Sequence, residues 1–313
     1  MEIDSNRRNP WLHQYATFVA SATFLLIIAG ALVTSNDAGL SVPDWPTSFG
    51  SFRMPRMVGG VKFEHGHRMI AGTVAILTLL LAVWLWRSHE RWWLRRLGWA
   101  AVLAVLAQAV LGGITVLFYL PVTVSVSHAC LAQLFFCMTV SMAVFIQPDW
   151  KWDGPKVEDT GTPSLRRVAV ATTGAIFLQL MLGAAYRHNG FGIVPHLVMA
   201  AAVSLGVLWT GIRVLALHSQ ERRLTRPPLL LLGLLMVQIF LGFGSYWMKI
   251  AARNVPQPLP PVVMITTAHV AVGALVLATS LLVTFQTYRF TEPAGVRDSR
   301  LHRSDSEVGV TVT

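Results

Sequence analysis

Long apolar runs alternate with short polar interruptions along the whole chain. A helix needs roughly 20 apolar residues to cross a bilayer core, and such runs recur at about 15–34, 66–86, 97–119, 124–146, 167–186, 195–217, 228–248 and 262–286. In lipid a helix satisfies its own backbone donors and acceptors, which an open strand does not. The pattern therefore predicts an all-α integral membrane protein with eight transmembrane helices. The polar remainder comprises an N-terminal segment 1–14, a linker 147–166 and a tail 287–313. The tail is expected to be disordered, because it is polar and mixed in charge.

A shorter pattern repeats inside the runs. The third, fifth and seventh spans carry Gln-x-x-Leu-Gly, as Gln108–Gly112, Gln179–Gly183 and Gln238–Gly242. The first span keeps the glycine, Gly30, with Leu26 in the glutamine's place. Each following span opens near a histidine: His67, His128, His196 and His269. Four positions after each histidine the residue is small (Ala71, Ala132, Ala200, Gly273), on the same helix face. Such periodicity predicts two repeat-related four-helix bundles, 15–146 and 167–286, each supplying two histidines at one depth.

Composition sharpens this picture. Of 313 residues 54% are hydrophobic and 13% charged, and mean hydropathy is +0.55. A soluble domain carries about a quarter charged residues. The formal charge of +10 would suit nucleic acid, but its distribution does not. With both termini cytoplasmic, 18 of the 25 lysines and arginines fall on the inside, as the positive-inside rule requires. The basic balance thus reports topology, and no nucleic-acid partner is expected. The opening MEIDSNRRNP resembles neither a secretory signal nor a transit peptide, which favours a bacterial inner membrane over an organelle. Cys130 and Cys137 lie seven residues apart on one helix, about 10 Å, beyond disulfide reach.

Neutral imidazole is the commonest metal ligand, and heme iron takes axial histidine. Two histidines from facing helices can grip a porphyrin, because helix bundles build cofactor sites that way. Four in repeat-related positions give two such sites, whose flat macrocycles the small residues at i+4 would accommodate. Zinc fits poorly, lacking thiolate clusters or HExxH spacing. His13, His89, His218 and His302 fall in cytoplasmic flanks and are expected to be solvated. His188, in YRHNG, is a candidate for a heme edge, whereas His65 points about 160° away from His67 around a helix. Glu64 lies three residues before His67 on the same face; Ser125, Ile193 and Thr266 hold that place ahead of the other histidines. The halves are therefore unequal. Glu64 is the candidate proton carrier or water positioner of a reactive half, or else an interfacial partner of Arg68 or Lys62. Arg53, Arg56, Arg187 and Arg253 are outside-facing candidates for porphyrin propionates.

The loop SNDAGLSVPDWPTSFG (35–50), followed by EHGHRMIAG, resembles the heme A synthase family of cytochrome oxidase assembly. The likeness extends over about residues 15–286 through the histidine of every even span. It implies an eight-helix membrane oxidoreductase that oxidises a methyl group of heme O to a formyl group by successive hydroxylations. By that resemblance His67 and His128 hold the substrate porphyrin's iron, Glu64 assists the chemistry, and His196 and His269 ligate a heme B cofactor. Expected partners are heme O, membrane lipid, a redox protein, and as candidates heme O synthase and oxidase assembly factors; oligomerisation is left open. One departure stands out: many bacterial members carry a cysteine pair in this loop, and here Val42 and its neighbours include no cysteine.

Two other functions fit parts of the pattern. A di-heme b-type electron carrier would use the four histidines without porphyrin chemistry. A transporter would line its path with Gln108, Gln179 and Gln238.

Overall fold

The computed structural model describes residues 10–147, 150 and 156–294. Eight helices account for most of them: α1 Pro10–Ser35, α2 Val61–Ser88, α3 Trp92–Leu117, α4 Val122–Ile146, α5 Leu165–Arg187, α6 Val194–His218, α7 Arg222–Ala251 and α8 Pro260–Phe290. All eight are long and apolar enough to cross a membrane, so this is a multi-pass membrane protein. Leu103, Leu205, Phe240 and Met264 are exposed, as side chains facing lipid should be.

The helices overrun the apolar stretches at both ends. Most consequential is α2, which begins at Val61 and so carries Glu64 and His65 in its first two turns. A carboxylate there is favoured by the unpaired amides of the helix start. Prolines in the first turns of α6 and α8 set their φ in advance and forfeit no helical donor.

Helices α1–α4 form one closed ring, α1 packing on α2 and α4, and α3 on both of the same neighbours; α5–α8 form a second ring in the same cyclic order. The first is filled by Leu12, Val19, Leu81, Phe135 and Met142, the second by Ile176, Val207, Leu231 and Leu277. The rings meet mainly through α1 against α8, with Ile27, Phe136 and Ala274 buried in the seam. The loops α1–α2, α3–α4, α5–α6 and α7–α8 gather at one end, here called the loop end.

At the opposite end the structure adds something the chain's pattern did not predict. Val157–Asp159 in the linker forms a short strand β1, parallel to β2, Thr291–Pro293, within the expected tail, whose first residues 287–290 continue α8. Asp159, buried, pairs with Arg213 at 3.1 Å and accepts the Leu165 amide. These contacts pin the linker to α5 and α6. The remaining expectation of disorder, over 295–313, lies outside the described residues, as do residues 1–9 and His302.

Candidate functional site

One contact recurs in all four helical hairpins. A Cβ placed on Gly30 would lie 3.1 Å from Cε1 of His67, on Gly112 3.4 Å from His128, on Gly183 3.0 Å from His196, and on Gly242 2.9 Å from His269. The glycine of each repeat therefore exists to admit the next helix's imidazole against bare backbone. The glutamine four residues earlier lies on the same face and reaches the same histidine. Gln108 Nε2 donates to the His128 carbonyl at 2.9 Å, while Gln179 and Gln238 bring their amides to 3.4 Å from Nε2 of His196 and His269. Leu26 offers no such group, and His67 has no glutamine. Each of the three glutamines thus meets a repeat histidine, one at its carbonyl and two at the ring.

The rings then come together in couples. His196 and His269 have centroids 6.4 Å apart with planes inclined by 76°. His67 and His128 lie close enough to interact electrostatically. In all four rings Nδ1 is buried without a hydrogen-bond partner. An orphaned buried polar atom costs about 1–3 kcal/mol, so four in equivalent places are a feature needing a cause.

Heme iron supplies a fit that can be tested on distance. Two imidazoles sharing one metal at about 2.0–2.1 Å would have ring centres roughly 6 Å apart, and the separation of His196 and His269 fits that range. No group of three or more His, Cys, Asp or Glu that could hold a metal ion occurs among the described residues. A metal held by either couple would need its remaining ligands from a bound group.

The first ring carries machinery the second lacks. Glu64, only 4% exposed, accepts the Val42 amide at 2.7 Å through Oε2 and the Arg68 guanidinium at 2.6 Å through Oε1. Arg68 also donates to the carbonyls of Asp44, Thr47 and Val42. His65 Nδ1 meets Ser48 Oγ at 3.0 Å, so it holds the loop and faces away from the couple. The salt bridge weighed against a catalytic role for Glu64 is thus present, with Arg68 and not Lys62. Within the loop Asp44 takes the Thr47 hydroxyl and the amides of Phe49 and Gly50. Those bonds, the hydroxyl foremost, hold its carboxyl below the ordinary value. Their ordering effect is therefore present above the usual carboxylate range and is lost as pH falls through the depressed pKa.

This clamped loop delivers Trp45 to the helices. A Cβ on Gly113 would sit 2.6 Å from the Trp45 indole, and the adjacent Gly112 faces His128. The indole therefore packs on α3 one residue from the glycine that faces His128. His188, capping α5, leans over the same region and interacts electrostatically with His128. Burial, then neighbouring Arg187, lowers its pKa.

The four arginines separate. Arg53 and Arg56 are exposed in the loop. Arg187 is turned inward, donating to Ala31 O at 2.9 Å and Ser35 Oγ at 2.7 Å. Arg253 lines a cavity beside it. His218, expected to be solvated, is only 6% exposed, and His13 bonds the Ala143 carbonyl; a position near a helix end says nothing about what packs over it. Trp45, Ser48 and the glutamines' partners were missed from sequence because no local spacing reports a contact across tens of residues.

A Gly242→Val chain is expected to displace the His269 ring, at a cost of about 1–3 kcal/mol for overpacking. Gly233 on the same helix has nothing within 4 Å, so Gly233→Val is the matched control. Heme content after purification should fall several-fold in the first and stay level in the second.

Comparison with known proteins bears on this arrangement. Residues 61–195 match the family described as cytochrome oxidase assembly protein (COX15-CtaA). The matched stretch holds Glu64, His67 and His128 and stops one residue short of His196. A heme A synthase of Lysinibacillus sphaericus is 31% identical over 193 residues, 60% of this chain and 62% of the relative. Heme A synthases of Halalkalibacterium halodurans (29% over 135 residues, 42% of this chain and 43% of the relative) and Listeria welshimeri (32% over 120 residues, 37% and 38%) are also similar. The matches thus span about three fifths of the length of the first of these relatives and less than half of the other two.

Proposed function

We propose, from the match of residues 61–195 to the cytochrome oxidase assembly family and the 31% identity to a heme A synthase, that the chain is itself a heme A synthase converting heme O to heme A. Taking a methyl group to a formyl group is a multi-electron oxidation, so a redox centre beside the substrate is needed. The couple His67 and His128 would hold the iron of the substrate, heme O. The couple His196 and His269 would hold a heme B cofactor, which when bound supplies one-electron transfer.

The chain's own residues do the rest. Gly30 and Gly112 let the substrate-side imidazoles stand close to backbone, fixing their rings. Trp45, packed on α3 beside Gly112, would cover that couple and exclude water. Glu64, held by Arg68 and the Val42 amide three residues before His67, is the candidate to move a proton or hold a water. The observation that carries the proposal is the inequality of the halves: among the described residues a buried carboxylate three residues before the histidine, clamped by a loop whose indole packs on the next odd helix, occurs in the first ring and not in the second.

A di-heme electron carrier has no use for that inequality. The deciding measurement is a mass-resolved heme inventory of the protein purified from cells supplied with heme O. Heme A or its hydroxylated precursor supports the synthase, and two unmodified hemes would support the carrier. The proposal places the loop end on the outer side of a bacterial inner membrane with both termini cytoplasmic.

A further inference from the structure

A cavity of about 330 Å³ opens at the loop end in the seam between the rings. Its walls include Arg187 at the end of α5, Lys249 near the end of α7, Arg253, Asp37, Ser35 and Thr266. Three cations thus surround it against one carboxylate. Arg187 is in neither of the ion pairs Arg68–Glu64 and Arg213–Asp159. Its recorded acceptors are neutral, the Ala31 carbonyl and the Ser35 hydroxyl. Asp37 acts on Arg187 and Lys249 electrostatically without an ion pair to either. A half-buried guanidinium without a carboxylate is costly, and an oxyanion is the group that its fork of donors fits.

Place identifies the source of that anion. Thr266 lies one turn before His269 on the same face of α8, and Arg187 acts electrostatically on His269. The cavity therefore adjoins the edge of whatever the second couple holds. Resting on the proposed function, we infer that this cavity seats a carboxylate side arm of the macrocycle held by His196 and His269, with Arg187 and Lys249 as its partners. Arg53 and Arg56, remote in the first loop, take no part. Because Ser35 and Asp37 come from α1 and its loop, the same carboxylate ties the two rings at their seam.

The test uses heme-depleted full-length chain in detergent, carrying His128→Ala so that only the second couple takes heme. It is titrated with heme B and with heme B dimethyl ester, whose side arms carry no charge, and followed by the Soret band. The ester is expected to bind about tenfold more weakly, or worse, to this chain. That ratio should shrink to within about twofold on adding Arg187→Gln or Lys249→Gln, and Arg187→Lys should restore part of it. Lys249 is exposed, so its variant keeps the test decisive if Arg187→Gln unfolds the seam. An ester ratio near one in the parent, or an unchanged ratio in Lys249→Gln, overturns the inference. If instead the purified variants lose bound phosphatidylglycerol or inorganic phosphate while the ester ratio holds, the anion is a phosphate and the carboxylate assignment is wrong. A bis-imidazole Soret band without ester discrimination sinks this inference alone. No Soret band in any form would sink the proposed function beneath it.

Discussion

Replacing His269 by alanine is expected to abolish the heme of the second couple and leave the first able to bind. The two imidazoles stand 6.4 Å apart, and on the proposed function neither would hold the iron as a bis-imidazole centre without the other. Purified His269→Ala and His196→Ala chains should each lose the second couple's share of the low-spin bis-imidazole signal, and Soret absorbance per chain should fall by about half if both couples are filled. Gln238→Ala removes only a contact at 3.4 Å from the same ring and should retain heme. An unaltered low-spin spectrum in His269→Ala would mean that these rings are no ligands, and the electron-relay role would go with them.

Glu64→Ala is expected to leave the second heme in place and to cut heme A output by about a hundredfold or more, the lower end of what a positioned acid or base contributes. The pair it breaks is mostly shielded from solvent. Removing one member of such a pair costs about 3–5 kcal/mol, and here the cost falls on the loop, since the Val42 amide and Arg68 both lose an acceptor. Two further variants divide the roles. Glu64→Gln keeps an oxygen for the Val42 amide, so limited proteolysis should find the loop protected while conversion of heme O still fails. Arg68→Leu releases three loop carbonyls as well, and should expose the loop to cleavage and lose conversion together. Normal heme A formation by Glu64→Ala would remove this carboxylate from the chemistry.

Much of this site was legible in the chain. Four histidines, four glycines and three glutamines recur in register, because each even helix starts at the same end and must meet the helix before it. The purpose of the repeated Gln-x-x-Leu-Gly was not legible. Its glycine and glutamine lie four apart on one face, which any helix wheel reports, but only the packed hairpin shows that an imidazole occupies that face. The cluster Glu64, His65, Arg68 likewise read as candidate chemistry around His67. Packed, all three hold the loop, Glu64 through the Val42 amide, His65 through Ser48 and Arg68 through three carbonyls.

The linear pattern determined the membrane, the eight spans, the alternation of direction and so the common depth of the histidines, since hydrophobic length and helix rise act locally and need no partner. Tertiary structure decided that the repeat glycines receive the imidazoles, that Trp45 packs on α3 at Gly113, that Arg187 turns into the seam while Arg53 and Arg56 stay outside, and that linker and tail join as strands. Those outcomes depend on side chains distant in sequence competing for the same buried space, and such competition is resolved only when the helices pack.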